Sequence, residues 1–281
     1  MLGTELLAVF YGLGSAFTWG AGDFSGGFAS KRGNVLSVIV ISQLVGLGFL
    51  LLLSLIIPEN TPSFHSLAWG AAGGVFGATG LVALYTALAS GRMSIVAPLS
   101  AVMTALVPIG FSFFLEGLPR SIQLVGMVIA LASVWILSAR KNGSALVKKE
   151  LVLSLAAGVG FGLFFVCIDQ ASETAIIRPL IAARVASVSL FGCIVLKRGS
   201  ISNVQKIQIP YIVLAGVLDA SGNALFAMAA SLGRLDISSV LASLYPASTV
   251  LLAGLFLKER LQFQQWIGVV TAVLALILIA F

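Results

Sequence analysis

The chain has 281 residues, 59% of them apolar and only 9% charged, with 30 glycines and a formal net charge of +6; its mean hydropathy is +1.10. Soluble domains carry about a quarter charged residues, so this composition excludes an ordinary soluble fold. In a soluble protein the positive charge would raise nucleic acid as a partner; here it belongs to membrane orientation, because Lys and Arg collect in cytoplasmic loops, and no nucleic-acid partner is expected.

A bilayer core takes roughly 20 apolar residues per helix. In chain order, helices are predicted over 6–28, 35–57, 67–89, 94–115, 121–139, 151–171, 179–196, 209–231, 237–257 and 263–281. The expected class is therefore an all-α integral membrane protein with ten transmembrane helices. Segments alternating apolar and polar residues are absent, which argues against a transmembrane barrel. The first span has no basic flank and no clear cleavage site, so it reads as a retained helix. Cys167 and Cys193 fall in different helices and read as small apolar side chains rather than a disulfide.

The ten spans are two copies of five. At one constant spacing Gly74, Gly80, Gly91, Arg92, Gln123 and Gly126 recur as Gly216, Gly222, Gly233, Arg234, Gln265 and Gly268; at a slightly larger one Gly12, Asp23 and Gly46 recur as Gly158, Asp169 and Gly192. Two membrane units joined head to tail are the architecture of a transporter. The units are drawn as 1–139 and 150–281, with 140–149 as the linker.

Connections after helices 1, 3, 5, 7 and 9 hold twelve Lys and Arg residues, and those after helices 2, 4, 6 and 8 hold three. This bias puts the linker in the cytoplasm and both termini outside a plasma or inner membrane. Five spans per copy is an odd number, so the copies enter from opposite sides as an inverted repeat. Pairs such as Gly22/Gly26, Gly70/Gly74, Gly73/Gly77 and Gly158/Gly162 have the spacing that lets helices approach closely in lipid. Pro98, Pro108 and Pro246 are expected to interrupt helices 4 and 9.

Ionisable residues inside the spans are few, and each is a candidate for function because a charge in hydrocarbon is costly. Asp219 lies near the midplane of helix 8, with Asn223 one turn on and on the same face; the first copy has Gly77 and Leu81 there. An interhelical hydrogen bond that only fixes packing is the competing reading of this pair. Asp23 and Asp169 are equivalent, each with an aromatic one turn earlier, Trp19 and Phe165. A carboxylate beside an aromatic face could hold an ammonium group or carry a coupling proton, but it could equally cap a helix. Arg184 in helix 7 needs an acidic or water-lined partner. Gln43, Tyr85 and Tyr245 are polar lining candidates, and His65 falls in the loop between helices 2 and 3.

Trp19-Gly20, Arg184 after Pro179, and Leu257-Lys-Glu-Arg-Leu261 leading to Gln265-x-x-Gly268 carry a resemblance to the EamA family of the drug/metabolite transporter superfamily. A degraded copy of the last motif, Leu115-Glu-Gly-Leu-Pro119 leading to Gln123-x-x-Gly126, ends the first unit. The resemblance implies a ten-helix inverted-repeat carrier with substrate in a central cavity, many relatives exporting amino acids or other metabolites. Gln43 stands near a position where the family often shows Arg, and the termini lack the family's usual basic residues.

Two other classes compete with a carrier of small metabolites. An intramembrane enzyme would want a metal-ligand or nucleophile–base cluster, and one histidine without a His-Glu-x-x-His run does not supply it. A flippase of lipid-linked substrates, or a scaffold that transports nothing, would fit the same fold. No phosphate-binding Gly-x-x-x-x-Gly-Lys-Ser/Thr run occurs. The expected partners are a small-molecule solute, the lipid bilayer and a coupling proton, with no cofactor and no metal.

Overall fold

The computed structural model describes residues 2–31, 33–89, 93–115, 117–138, 148–172, 174–197, 204–248 and 263–280. Its helices are α1 (Leu2–Ser30), α2 (Val35–Ile56), α3 (Phe64–Ala89), α4 (Met93–Leu115), α5 (Ser121–Ser138), α6 (Lys148–Ala171), α7 (Ile177–Lys197), α8 (Ile209–Leu232), α9 (Leu235–Ala242) and α10 (Phe263–Ala280). A 3-10 turn, Lys206–Gln208, leads into α8. No strand occurs among the described residues. In hydrocarbon every backbone N–H and C=O must be satisfied within its own segment, and a helix does this for long apolar runs. Among the described residues, five helical segments are long and apolar enough to cross a membrane: Val35–Ile56, Phe64–Ala89, Lys148–Ala171, Ile177–Lys197 and Lys206–Leu232. Leu99–Leu115 and Ser121–Ile136 are shorter apolar stretches.

Packing follows the repeat. Helix α1 packs on α8 as its equivalent α6 packs on α3, α2 packs on α8 as α7 packs on α3, and α5 packs on its own equivalent α10. Glycines set these approaches. A Cβ on Gly74 would collide with the carbonyl of Ala183 in α7, and one on the equivalent Gly216 with the carbonyl of Ser42 in α2. Gly158 and Gly162 meet Ser100, Met103, Thr104 and Val107 of α4 in the same manner. Small residues thus bring backbones together where lipid offers no hydrophobic drive.

Loops tie one copy to the other. The Glu59 carboxylate, after α2, accepts from the amides of Ile176 (2.8 Å), Ile177 (2.8 Å) and Arg178 (3.2 Å), which open α7. That places an anion on the free N–H groups of a helix start, where the helix dipole favours it. Gln208, just before α8, donates to the carbonyl of Ala29 at the end of α1 (2.9 Å). Arg234 pairs with Asp236 and donates to the carbonyl of Gly117 (2.7 Å), joining the turn after α8 to the one after α4.

Several expectations need correction. Helices α1 and α3 start earlier than predicted, and α6 begins at Lys148, so Lys148 and Lys149 are helical rather than linker. His65 lies in the first turn of α3, exposed, and accepts from Trp69 four residues on (2.8 Å). Helix α4 runs unbroken through Pro98 and Pro108. The break falls in the second copy, where α9 ends at Ala242, Ser243 and Leu244 form a turn, and helix resumes at Tyr245. A proline has no N–H to give and clashes with the preceding turn, which places the break just ahead of Pro246. The end of the predicted ninth span, the linker 140–147 and the Leu257–Leu261 motif lie outside the described residues. Cys167 and Cys193 are both free, as their reading required.

Candidate functional site

A cavity of about 60 Å³ lies between the two copies, room for a handful of waters. Its polar lining comes from α1 (Trp19, Asp23), α2 (Gln43), α4 (Thr104), α7 (Arg184), α8 (Asp219, Asn223) and Tyr245. Apolar walls come from α3 and α6, including Gly77, Leu81, Phe161, Phe164 and Phe165. The equivalent positions Gly77/Asp219 and Leu81/Asn223 therefore all face the same cavity, one copy supplying space and the other polarity.

The centre of the site is a three-helix cluster. Arg184 Nη2 stands 2.7 Å from Asp219 Oδ2. That contact is an ion pair rather than an aligned hydrogen bond, since Nη2 is buried and makes no hydrogen bond among the described residues. Gln43 closes the triangle: its Oε1 accepts a short bond from Arg184 Nη1 and another from Ser187 Oγ (3.0 Å), and its Nε2 donates to Asp219 Oδ2 (3.4 Å). Taking two charges out of water is repaid only when the geometry is good and the remaining polar atoms are bonded; Gln43 supplies that on both sides. Gly46, one turn beyond Gln43, lets α2 approach α8, since a Cβ placed there would lie 3.0 Å from the carbonyl oxygen of Gly216.

Beside the cluster, Trp19 donates its indole N–H to Asn223 Oδ1 (2.9 Å). The Trp19 ring stacks on Phe165 at 5.2 Å, and Phe165 stacks on Phe226 at 4.0 Å. Aromatic rings at such spacings gain about 0.5–1.5 kcal/mol per pair beyond simple burial, so the indole is held on its face and at its edge. The Tyr245 hydroxyl donates to Ser100 Oγ (3.3 Å).

Of the residues singled out in the sequence, Asp219, Asn223, Arg184, Asp23, Trp19, Phe165, Gln43 and Tyr245 all line this one cavity. Two do not. Tyr85 is fully buried next to it, with its hydroxyl filling the space left by Gly26. Asp169 sits near the end of α6, accepting from Gln170 (3.1 Å), and does not reach the cavity. Asp23 and Asp169 are equivalent in sequence but not in surroundings, because Asp219 faces Asp23 whereas the matching residue of the first copy is Gly77. Sequence reasoning missed Ser187, Thr104, Phe161 and Phe164; the last two lie one turn and one residue before Phe165, a spacing that could have placed Phe161 on its face.

These features define the class first: a multi-pass helical membrane protein with a buried charged site between two copies of one unit. The family model of the EamA-like transporter family matches residues 6–139 and again 148–281, and the chain belongs to that family, within the drug/metabolite transporter superfamily. An uncharacterized protein of Methanocaldococcus jannaschii is 32% identical over 130 residues, which cover 46% of this chain and 93% of that one. That relative is thus about as long as a single copy of the unit. A solved crystal structure of a protein superposes with a TM-score of 0.76 at 17% identity, covering 96% of this chain and 95% of that one; it supports the fold alone.

Proposed function

We propose that the protein is a secondary or facilitative carrier of small metabolites, such as amino acids, amines or related solutes. It would work by alternating access around the cavity between its copies. The observation that carries this reading is the Arg184–Gln43–Asp219 cluster: two opposite charges drawn from α7 and α8, tied by an amide from α2, and lining a cavity. A polar site near the middle of the bilayer, where two repeats meet, is where both mouths must reach in turn. Ten spans in two inverted units, 1–139 and 148–281, suit this mechanism, with the linker in the cytoplasm and both termini outside. The exchange of packing partners between copies supports a twofold relation of this kind.

The test is reconstitution of the purified protein into liposomes and a screen of labelled amino acids, amines and sugars, with and without a pH gradient. At least one solute should be taken up, and Arg184→Gln should abolish that uptake. Uptake of no solute in any class, from protein shown to be folded, would refute the carrier reading.

A further inference from the structure

The charged side chains lining the cavity among the described residues are Asp23, Asp219 and Arg184, two negative and one positive. They are not equally available. Arg184 is only 4% exposed; one of its terminal nitrogens is given to Gln43 and the other is sealed against Asp219. A carboxylate entering the cavity would find the cation already balanced by Asp219 at 2.7 Å and would face a second acid, Asp23. The Asp219 side chain is 25% exposed, but its charge is already balanced at 2.7 Å.

Asp23 is the opposite case. It is half-buried, lines the cavity, and makes no hydrogen bond or ion pair among the described residues. An ionised carboxylate accepts at about four lone-pair positions, and all of these remain for a ligand. Asp219 lines the same cavity, so a second carboxylate stands near Asp23 and repels its charge. A cation seated at Asp23 relieves that repulsion. Trp19, one turn earlier on α1, together with Phe161, Phe164 and Tyr245, adds aromatic surface to the same cavity, and aromatic faces attract ammonium groups.

Resting on the carrier reading above, we propose that the cavity selects small monoamines, primary ammonium ions that carry no carboxylate. Asp23 binds the cation, and the sealed Arg184–Gln43–Asp219 cluster excludes amino acids. Asp219 is then a positioning residue that occupies Arg184, not the seat of the ligand. The volume of about 60 Å³ restricts the ligand to a few heavy atoms unless the cavity widens.

Three probes share an isobutyl framework, to which valine adds a carboxylate, and separate the possibilities: isobutylamine, valine and isobutanol. Binding is measured by calorimetry on the purified full-length protein. Isobutylamine should bind at least about tenfold more tightly than either of the others, as expected when a charged hydrogen bond is gained. Asp23→Asn, which keeps size and shape, should remove that advantage, while Asp23→Glu should retain most of it. Asp219→Asn should release Arg184 and shift the preference toward valine. The proposal is overturned if valine binds the wild-type protein as well as isobutylamine, if no probe binds, or if Asp23→Asn leaves amine binding unchanged. The wild-type ranking needs no variant, so a misfolded mutant cannot hide the answer. Failure here is distinct from failure of the carrier reading: a protein that transports valine or a sugar in an Arg184-dependent manner, yet ignores isobutylamine, remains a carrier and loses only its assignment to amines.

Discussion

Replacing Gly74 by alanine tests the packing that holds the charged cluster. The added methyl would run into the carbonyl, the carbonyl carbon and the Cα of Ala183, and Arg184 is the next residue. Main-chain atoms in a helix cannot rotate aside, so α3 and α7 must separate. Overpacking of this kind costs about 1–3 kcal/mol, which for a chain of this size lowers the melting temperature by on the order of 5 °C. A methyl added at Gly48 or Gly192 would meet nothing within 4 Å, and alanine favours a helix over glycine, so Gly48→Ala and Gly192→Ala should not lower melting. Adding Ala183→Gly to Gly74→Ala should not restore stability, because the collision is with backbone rather than with the Ala183 methyl. Thermal unfolding of the purified variants in one detergent, followed by tryptophan fluorescence, gives the ranking. If Gly74→Ala melts with the two controls, or if Ala183→Gly rescues it, the close approach of α3 to α7 is not what the structure requires.

Other outcomes follow from the same contacts. Gln43→Leu removes the acceptor shared by Arg184 and Ser187 and the donor to Asp219, so melting should fall by the equivalent of about 1–3 kcal/mol for buried groups left unpaired; an unchanged melting curve would contradict the triangle. Glu59→Gln keeps a side-chain acceptor but removes the negative charge from the start of α7, a loss of about 0.3–1 kcal/mol, read as faster amide exchange at 176–178, and unchanged exchange there would count against the strap. For orientation, single cysteines at positions 142 to 145, in a background without Cys167 and Cys193, should be reached by an impermeant reagent only after cells are opened. Labelling of intact cells would reverse the proposed topology.

Much of this site could be read in the chain itself. Charged residues stand out in apolar helices, and Asp219, Arg184 and Asp23 are conspicuous for that reason alone. Their pairing is not legible. Gln43 lies 141 residues before Arg184 and 176 before Asp219, and no local pattern says that three separate helices turn these side chains to one point. The repeat misleads in one respect: it makes Asp23 and Asp169 equals, although packing partners of each are drawn from the other copy, and those partners differ. Helix existence is legible from apolar length, whereas the break before Pro246 is placed only by the fold. Pro98 and Pro108 carry the same local signal and leave α4 intact. The turn of α3 that absorbs His65 also escapes, because a histidine beside Pro62 and Ser63 looks like loop.

Whether the cluster between the copies moves solute or merely pins helices is decided by measuring transport and melting on one purified sample of Asp219→Asn. The substitution preserves volume and removes the charge that balances Arg184. A working transport centre predicts that uptake of the transported solute, counted per folded molecule, changes by about tenfold or more, the scale of one charged interaction, while folded protein is still recovered. Lower melting with unchanged transport per folded molecule would contradict it, leaving Arg184, Gln43 and Asp219 as a packing device.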